Sequence, residues 1–375
     1  MSKLIEQTPG FIRAIAPYKA GKPVSDVVRE LGLNPETVVK LASNENPLGL
    51  GEKAKLAIAK AVLDLGRYPD ANGFALKAKL AARHNVKPEQ ITLGNGSNDV
   101  LELVAKAFLT HGNNAVFSQY AFAVYPLATQ GCGAQSNVVP AVNYTHDLDG
   151  FLAAISEQTR VVFIANPNNP TGTFLPQDKL LAFLKAAPAN VLVVLDEAYN
   201  EFLKPEDQYD STQWLSTFPN LLVSRSFSKA YGLAGLRVGY SVSSIEVADL
   251  MNRVRQPFNV NSVALAAAEA ALDDVEFLQK TYEVNAAGLE QIESGLKFLG
   301  LEYVPSYGNF VLFKVGDTDD SGMKVFDALQ RLGVIVRPVN GYGLPAWLRV
   351  SVGLPKENEA FLEALPQALA TLKAS

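Results

Sequence analysis

A chain of 375 residues, 48% hydrophobic and 19% charged, can bury a large core and is too apolar to remain disordered. Its net charge of -5 argues against the basic footprint of a nonspecific nucleic-acid binder. Cys132 is the only cysteine, which excludes an internal disulfide, and His84, His111 and His146 are scattered without ligand spacing, so no metal site is assigned.

The first residues, MSKLIEQTPGFIRAIAPYKAG, lack the continuous apolar stretch of a secretory signal. Nowhere does the chain approach the roughly 20 apolar residues that a membrane crossing needs. A cytoplasmic protein with neither membrane nor nucleic-acid partner is the expectation. Residues 1–40 read as an arm carrying one short helix at 25–33, with Ser25 as its expected cap. The polar loop LASNENPLG (41–49) leads to helical spacing over 52–65, which RYPD (67–70) breaks.

From residue 74 the pattern alternates. A helix at 74–84 precedes a strand at 91–93, the turn GNGSND (94–99) and a helix at 100–109. Short apolar runs at 115–117, 161–165, 191–195 and 221–224 read as strands, separated by helical segments. Continuous rather than alternating apolar runs indicate a largely parallel sheet covered on both faces, an α/β architecture. Ligands of such sheets gather at the carboxyl ends of the strands. The polar loops GNGSND, NPNNPTG, DEAYN and SRSFSK all follow strands at that edge.

After Pro257 the texture changes. A helical region over 262–299 is followed by strands at 309–315, 334–337 and 347–352, a helix at 323–332 and a closing helix at 357–373. The expected division is an arm (1–40) joining a smaller α+β domain (263–375), with a large domain (41–262) between them.

Residues 224–240, SRSFSKAYGLAGLRVGY, hold the most distinctive chemistry. Lys229 stands among serines, tyrosines and glycines with almost no acidic neighbour. Its amine can be a nucleophile toward a carbonyl, while Ser224, Arg225, Ser226 and Arg237 suit an anion. Gly96 and Ser97 open a helix, and helix N-termini receive phosphates. Asp196 ends a buried strand, where a fixed carboxylate suits a cationic ring nitrogen; Tyr199 lies three residues on. Asn169 sits in a rigid Pro-Gly turn that can aim it at a ligand oxygen, and Tyr120 follows another strand. An amine, a carboxylate, a phenol, an amide and an anion cradle match pyridoxal 5′-phosphate. No P-loop exists, and the Gly94-x-Gly96 pair is not a dinucleotide fingerprint.

Five segments then carry a resemblance: LASNENPLG (41–49), RYPD (67–70), NPNNPTG (166–172), DEAY (196–199) and SFSKAYGLAGLRVGY (226–240), supported by RQPFNVNS (255–262) and WLRVSVG (347–353). They span nearly the whole chain, which resembles the fold-type I pyridoxal-phosphate aminotransferases and most of all the histidinol-phosphate aminotransferase family. The resemblance implies that Lys229 attaches the cofactor and later moves a proton, and that Asp196 pairs with the ring nitrogen. Tyr199 and Asn169 would bond the ring oxygen, and Tyr120 would stack on the ring. The backbone N–H groups of Gly96 and Ser97 would hold the phosphate with Ser226, Ser228 and Arg237. Tyr68 would reach the neighbouring subunit's cofactor in a homodimer. Arg349 and Arg337 would take the substrate's anionic groups, with Tyr18 and Asn44 nearby. The implied reaction is transamination between histidinol phosphate and 2-oxoglutarate, giving glutamate. An aromatic amino-acid aminotransferase, a threonine-phosphate decarboxylase and a non-catalytic regulator are the competing readings.

Overall fold

The computed structural model describes residues 3–17, 21 and 23–373. Its strands, in chain order, begin with β1 (Val39–Lys40), β2 (Ile91–Gly94), β3 (Asn114–Ser118), β4 (Gln135–Val139), β5 (Thr159–Ala165) and β6 (Leu192–Asp196). They continue with β7 (Leu221–Ser226), β8 (Gly239–Ser243), β9 (Tyr303–Val304), β10 (Phe310–Lys314), β11 (Val334–Ile335), β12 (Arg337–Pro338) and β13 (Trp347–Ser351).

Seven strands form the main sheet in the order β2-β8-β7-β6-β5-β3-β4. β8 runs antiparallel to both neighbours, and the other pairings are parallel. The apolar strands lack alternation because each face has its own core. Val161, Phe163, Val194 and Leu222 pack with the helices Ser97–Phe108 and Val124–Gly131. Their strand neighbours Val162, Ile164, Val193, Leu195 and Val223 pack oppositely, with Phe74–His84, Gln177–Ala186 and Ser262–Ala271. A second, antiparallel sheet, β12-β13-β10-β9, lies against Val275–Phe298, Ser321–Arg331 and Pro355–Lys373. β1 pairs with β11 in parallel, and Val27, Ala42 and Ile335 seal that junction.

Several expectations are corrected. Ser25 lies inside the helix Val24–Leu31; Pro23 holds the cap position, with no side-chain capping bond. The helix expected from residue 100 begins at Ser97, directly after Gly96, whose φ is 84°. The strand expected at 334–337 divides at Val336 into β11 and β12, which join different sheets. β4 and β8 carry no continuous apolar run: Gln135, Ser136 and Asn137 lie at the sheet edge, and β8 reads Gly-Tyr-Ser-Val-Ser. The helical region at 262–299 breaks into Ser262–Ala271 and Val275–Phe298. Ala264, Ala267, Ala268 and Ala271 of the first piece sit in the main-sheet core. We therefore propose that the two parts of the molecule divide near 272–274 and not at residue 262. Among the described residues no helix is long and apolar enough to cross a membrane.

Candidate active site

Because β8 alone is reversed, β2, β3, β5, β6 and β7 all end at the same sheet edge. Their loops and the second sheet enclose a cleft of about 320 Å³, lined by Ser97, Asp196, Tyr199, Lys229 and Arg349 among others. Lys229 follows β7 in a turn that needs Gly232: φ there is +70°, and a Cβ would collide with the Gly49 carbonyl. This close approach seats the lysine loop against the polar loop at 41–49. The Lys229 Nζ lies 3.3 Å from the Ser43 carbonyl oxygen, to which it donates. Burial first, then the positive charge of Arg349, lowers the Lys229 pKa to about 8.

Asp196 ends β6 and is 4% exposed. Its Oδ2 accepts a 2.9 Å hydrogen bond from the Tyr125 hydroxyl, whereas Oδ1 meets no donor. Burial raises its pKa to about 6, opposed by the Tyr125 bond and reinforced by the neighbouring Glu197. The Tyr199 hydroxyl accepts from Asn44 Nδ2 at 2.9 Å; burial raises its pKa to about 12, so it remains a phenol able to donate. Asn44 itself is buried and adopts a φ of 53°; Ser351 and Asn309 also bond to it, tying the cleft to the second sheet.

At one end of the cleft the backbone makes an anion cradle. Ser97 heads the helix Ser97–Phe108, and Gly239 leaves its backbone nitrogen uncovered, since a Cβ at 239 would lie 2.5 Å from it. A Cβ at Gly96 would lie 2.5 Å from Arg237 Nη2, so glycine lets the guanidinium approach. Arg237 donates to Ser228 Oγ at 3.3 Å, and the Ser228 N–H donates to Ser226 Oγ at 3.0 Å. The Gly96 N–H does not join this cradle: it donates to the Gly94 carbonyl at 2.8 Å. Arg225 is also absent, because successive residues of β7 point to opposite faces. It donates to Glu197 Oε2 from Nε at 3.0 Å and Nη2 at 2.8 Å, in the opposite core. Ser224 is fully buried within the sheet.

At the other end, Arg349 donates to Asn169 Oδ1 at 2.7 Å and to the Ala42 carbonyl at 2.8 Å. Arg337 stands opposite Arg349 across β12 and β13, and both line the cleft. Two like charges directly opposite each other are unfavourable, so this pair favours an anion between or over them.

Most expected site residues thus converge; besides the Gly96 N–H, Ser224 and Arg225, Tyr120 departs from expectation. Tyr120 does not line the cleft; its ring stacks on Tyr144 at 5.9 Å beside Trp347. Phe122, two residues on, lines the cleft instead, and the irregular chain after β3 hides that choice from a sequence pattern. Tyr68 is 83% exposed, stacked on Phe258 at 4.8 Å and away from this cleft. Tyr18 lies outside the described residues. The residues that sequence reasoning missed are Phe122, Asn98, Tyr342 and Tyr125; only the first three line the cleft. Asn98 follows Ser97 in the anticipated phosphate turn and so carried a signal.

Residues 36–365 match the family model for aminotransferases of class I and II. The chain belongs to that family. It is 60% identical to histidinol-phosphate aminotransferase 2 of Ralstonia nicotianae over 367 residues, covering 98% of both chains. Against histidinol-phosphate aminotransferase 1 of Cupriavidus pinatubonensis it is 61% identical, covering 96% of each. A solved histidinol-phosphate aminotransferase from Sinorhizobium meliloti, in complex with pyridoxal-5′-phosphate, superimposes with a TM-score of 0.90 at 29% identity, covering 98% of both chains. The cleft of this aminotransferase therefore sits in a fold already known to hold that cofactor.

Proposed function

We propose that this chain is a histidinol-phosphate aminotransferase dependent on pyridoxal 5′-phosphate. The observation that carries the reading is the 60% identity to the Ralstonia nicotianae enzyme over 98% of both chains. The cleft fits the cofactor: Asp196 Oδ1 is buried without a donor, the Gly96 and Gly239 positions are kept bare, and an amine of lowered basicity lines the same cleft as the arginine pair. When bound, the cofactor supplies an aldehyde to receive the amino group and a ring that withdraws electrons from the reacting carbon.

The chain's own residues do the rest. Lys229 holds the aldehyde until substrate amine displaces it, then serves as the base that moves a proton from the substrate carbon. A pKa near 8 keeps part of that amine neutral at neutral pH. Asp196, as a carboxylate, keeps the ring nitrogen protonated. Tyr199 donates to the ring oxygen, joined by the amide N–H of Asn169, whose Oδ1 is held by Arg349. The Ser97 and Asn98 backbone N–H groups, Ser226, Ser228 and Arg237 hold the cofactor phosphate, and Phe122 covers the ring. Arg349 and Arg337 take the phosphate ester of histidinol phosphate and, in the alternate half-reaction, the carboxylates of glutamate or 2-oxoglutarate.

A homodimer accompanies this reading. Leu63, Tyr68 and Phe74 are 85%, 83% and 78% exposed, an apolar surface that a second copy would cover, with Tyr68 directed toward the partner's cofactor phosphate. Assays of histidinol phosphate with 2-oxoglutarate against phenylalanine and tyrosine test the function. Histidinol phosphate is expected to win by kcat/KM; a preference of orders of magnitude for the aromatic acids would overturn it.

A further inference from the structure

Resting on that reading, we infer that Tyr125 is the positioning residue that orients the Asp196 carboxylate and keeps it ionised. Tyr125 has no solvent exposure and belongs to the helix Val124–Gly131, on the main-sheet face that carries Asp196. Its ring lies parallel to Phe163, with centroids 4.7 Å apart and planes 8° apart. Phe117 and Phe122 enclose it at 6.2 Å and 5.9 Å. This clamp leaves the hydroxyl one direction, toward Asp196 Oδ2 at 2.9 Å.

Two consequences follow. With Oδ2 occupied, Oδ1 is the oxygen left to meet a ring nitrogen, so the hydrogen bond fixes which face of the carboxylate is presented. The donor also favours the charged carboxylate, against a buried setting that favours the neutral acid. The other groups acting on Asp196 are mixed: Glu197 disfavours its charge, while Lys229 and the Ala198 backbone N–H favour it. Burial and the adjacent Asp196 raise the Tyr125 pKa well above its ordinary value, so the phenol stays a donor throughout the working range. The same ring contacts Phe122, so the cleft's aromatic wall and its carboxylate are seated by one side chain.

The test uses two changes of opposite sign. Tyr125→Phe keeps the stacked ring and removes the donor, whereas site-specific replacement of Tyr125 by 3-fluorotyrosine strengthens the donor with almost no change in shape. In apoprotein carrying ¹³C-labelled aspartate, with the Asp196 signal assigned by its loss in Asp196→Asn, the carboxyl is titrated by NMR. Tyr125→Phe is expected to raise the Asp196 midpoint by about one pH unit, the scale of one hydrogen bond to a charged group, and the fluorinated residue to lower it. Midpoints unchanged in both proteins would overturn the inference even if the enzyme is an aminotransferase. Separately, ¹⁵N NMR of ring-labelled cofactor in the loaded protein is expected to show a protonated nitrogen in the wild type and reduced protonation in Tyr125→Phe. A wild-type ring nitrogen that is not protonated would count against the assigned role of Asp196 while leaving the apoprotein titration to judge Tyr125.

Discussion

Asp196 and Glu197 are consecutive, both carboxylates and both buried, yet they serve opposite faces of the same sheet. Asp196 faces the cleft with one oxygen held by Tyr125 and the other without a donor. Glu197 faces the far core, where Arg225 gives it two hydrogen bonds and Asp210 lies 3.5 Å from the same guanidinium. That inner cluster extends to His84, which bonds the Tyr240 hydroxyl at 2.8 Å. The inner carboxylate is paired through Oε2 with a guanidinium, although its Oε1, like Asp196 Oδ1, meets no donor; the outer one has a phenol as its hydrogen-bond partner and borders the cleft. The cost of burying a charge is opposed in the first case by ion pairing and in the second by the Tyr125 hydrogen bond.

The comparison can be broken by neutralising each acid in turn. Asp196→Asn is expected to reduce kcat by roughly 10³-fold, the scale of losing one preorganised charged partner. The same variant should make the apoprotein more stable at pH 8. The sign follows from a folded-state pKa of about 6 against an ordinary value of 3.8: ionising Asp196 weakens the fold as pH rises through about 6. The gain is about 3 kcal/mol, read from denaturant unfolding at pH 8, and it should vanish below pH 4. Glu197→Gln should do the reverse, destabilising the protein by about 3 kcal/mol because the buried Arg225 loses the charge behind both of its hydrogen bonds to Glu197, keeping the part-exposed Asp210 at 3.5 Å. Turnover per folded molecule should be largely retained, measured by active-site titration beside the unfolding curve. If both variants behaved alike, the distinction between the faces would fail.

Two smaller effects sharpen the cleft side. Capture of pyridoxal 5′-phosphate by the apoprotein should accelerate with pH through a midpoint near 8, followed by stopped-flow absorbance, because only the neutral Lys229 amine reacts. Asn44→Ala removes the donor to the Tyr199 hydroxyl and should lower kcat/KM about tenfold, the scale of one modest hydrogen bond.

Lys229, Asp196, Tyr199, Asn169, Ser226, Ser228 and Arg237 were legible because each lies in a compact polar loop that follows an apolar run. Lys229 stood out by its neighbours, and Asp196 by ending an unbroken apolar strand. Tyr120 misled because a side chain's direction cannot be counted once the chain leaves β3; the structure seats Phe122 in the cleft instead. The Gly96 N–H, expected at the phosphate, is consumed within its own turn. Arg225 looked like an anion ligand beside Ser226, although period-two alternation sends it to the other core.

The sequence by itself determined the covered parallel sheet, the edge where its loops gather and the presence of Lys229 in one of those loops, because these follow from local apolar runs and local loop chemistry. Only the tertiary structure decided that β8 is reversed, that residues 334–337 serve two sheets and that the helix Ser262–Ala271 belongs to the main core. It also decided the partnership of Tyr125 with Asp196, 71 residues apart in the chain. Such pairings depend on which elements meet across the fold, and no spacing along one chain encodes the distance between two side chains on different elements.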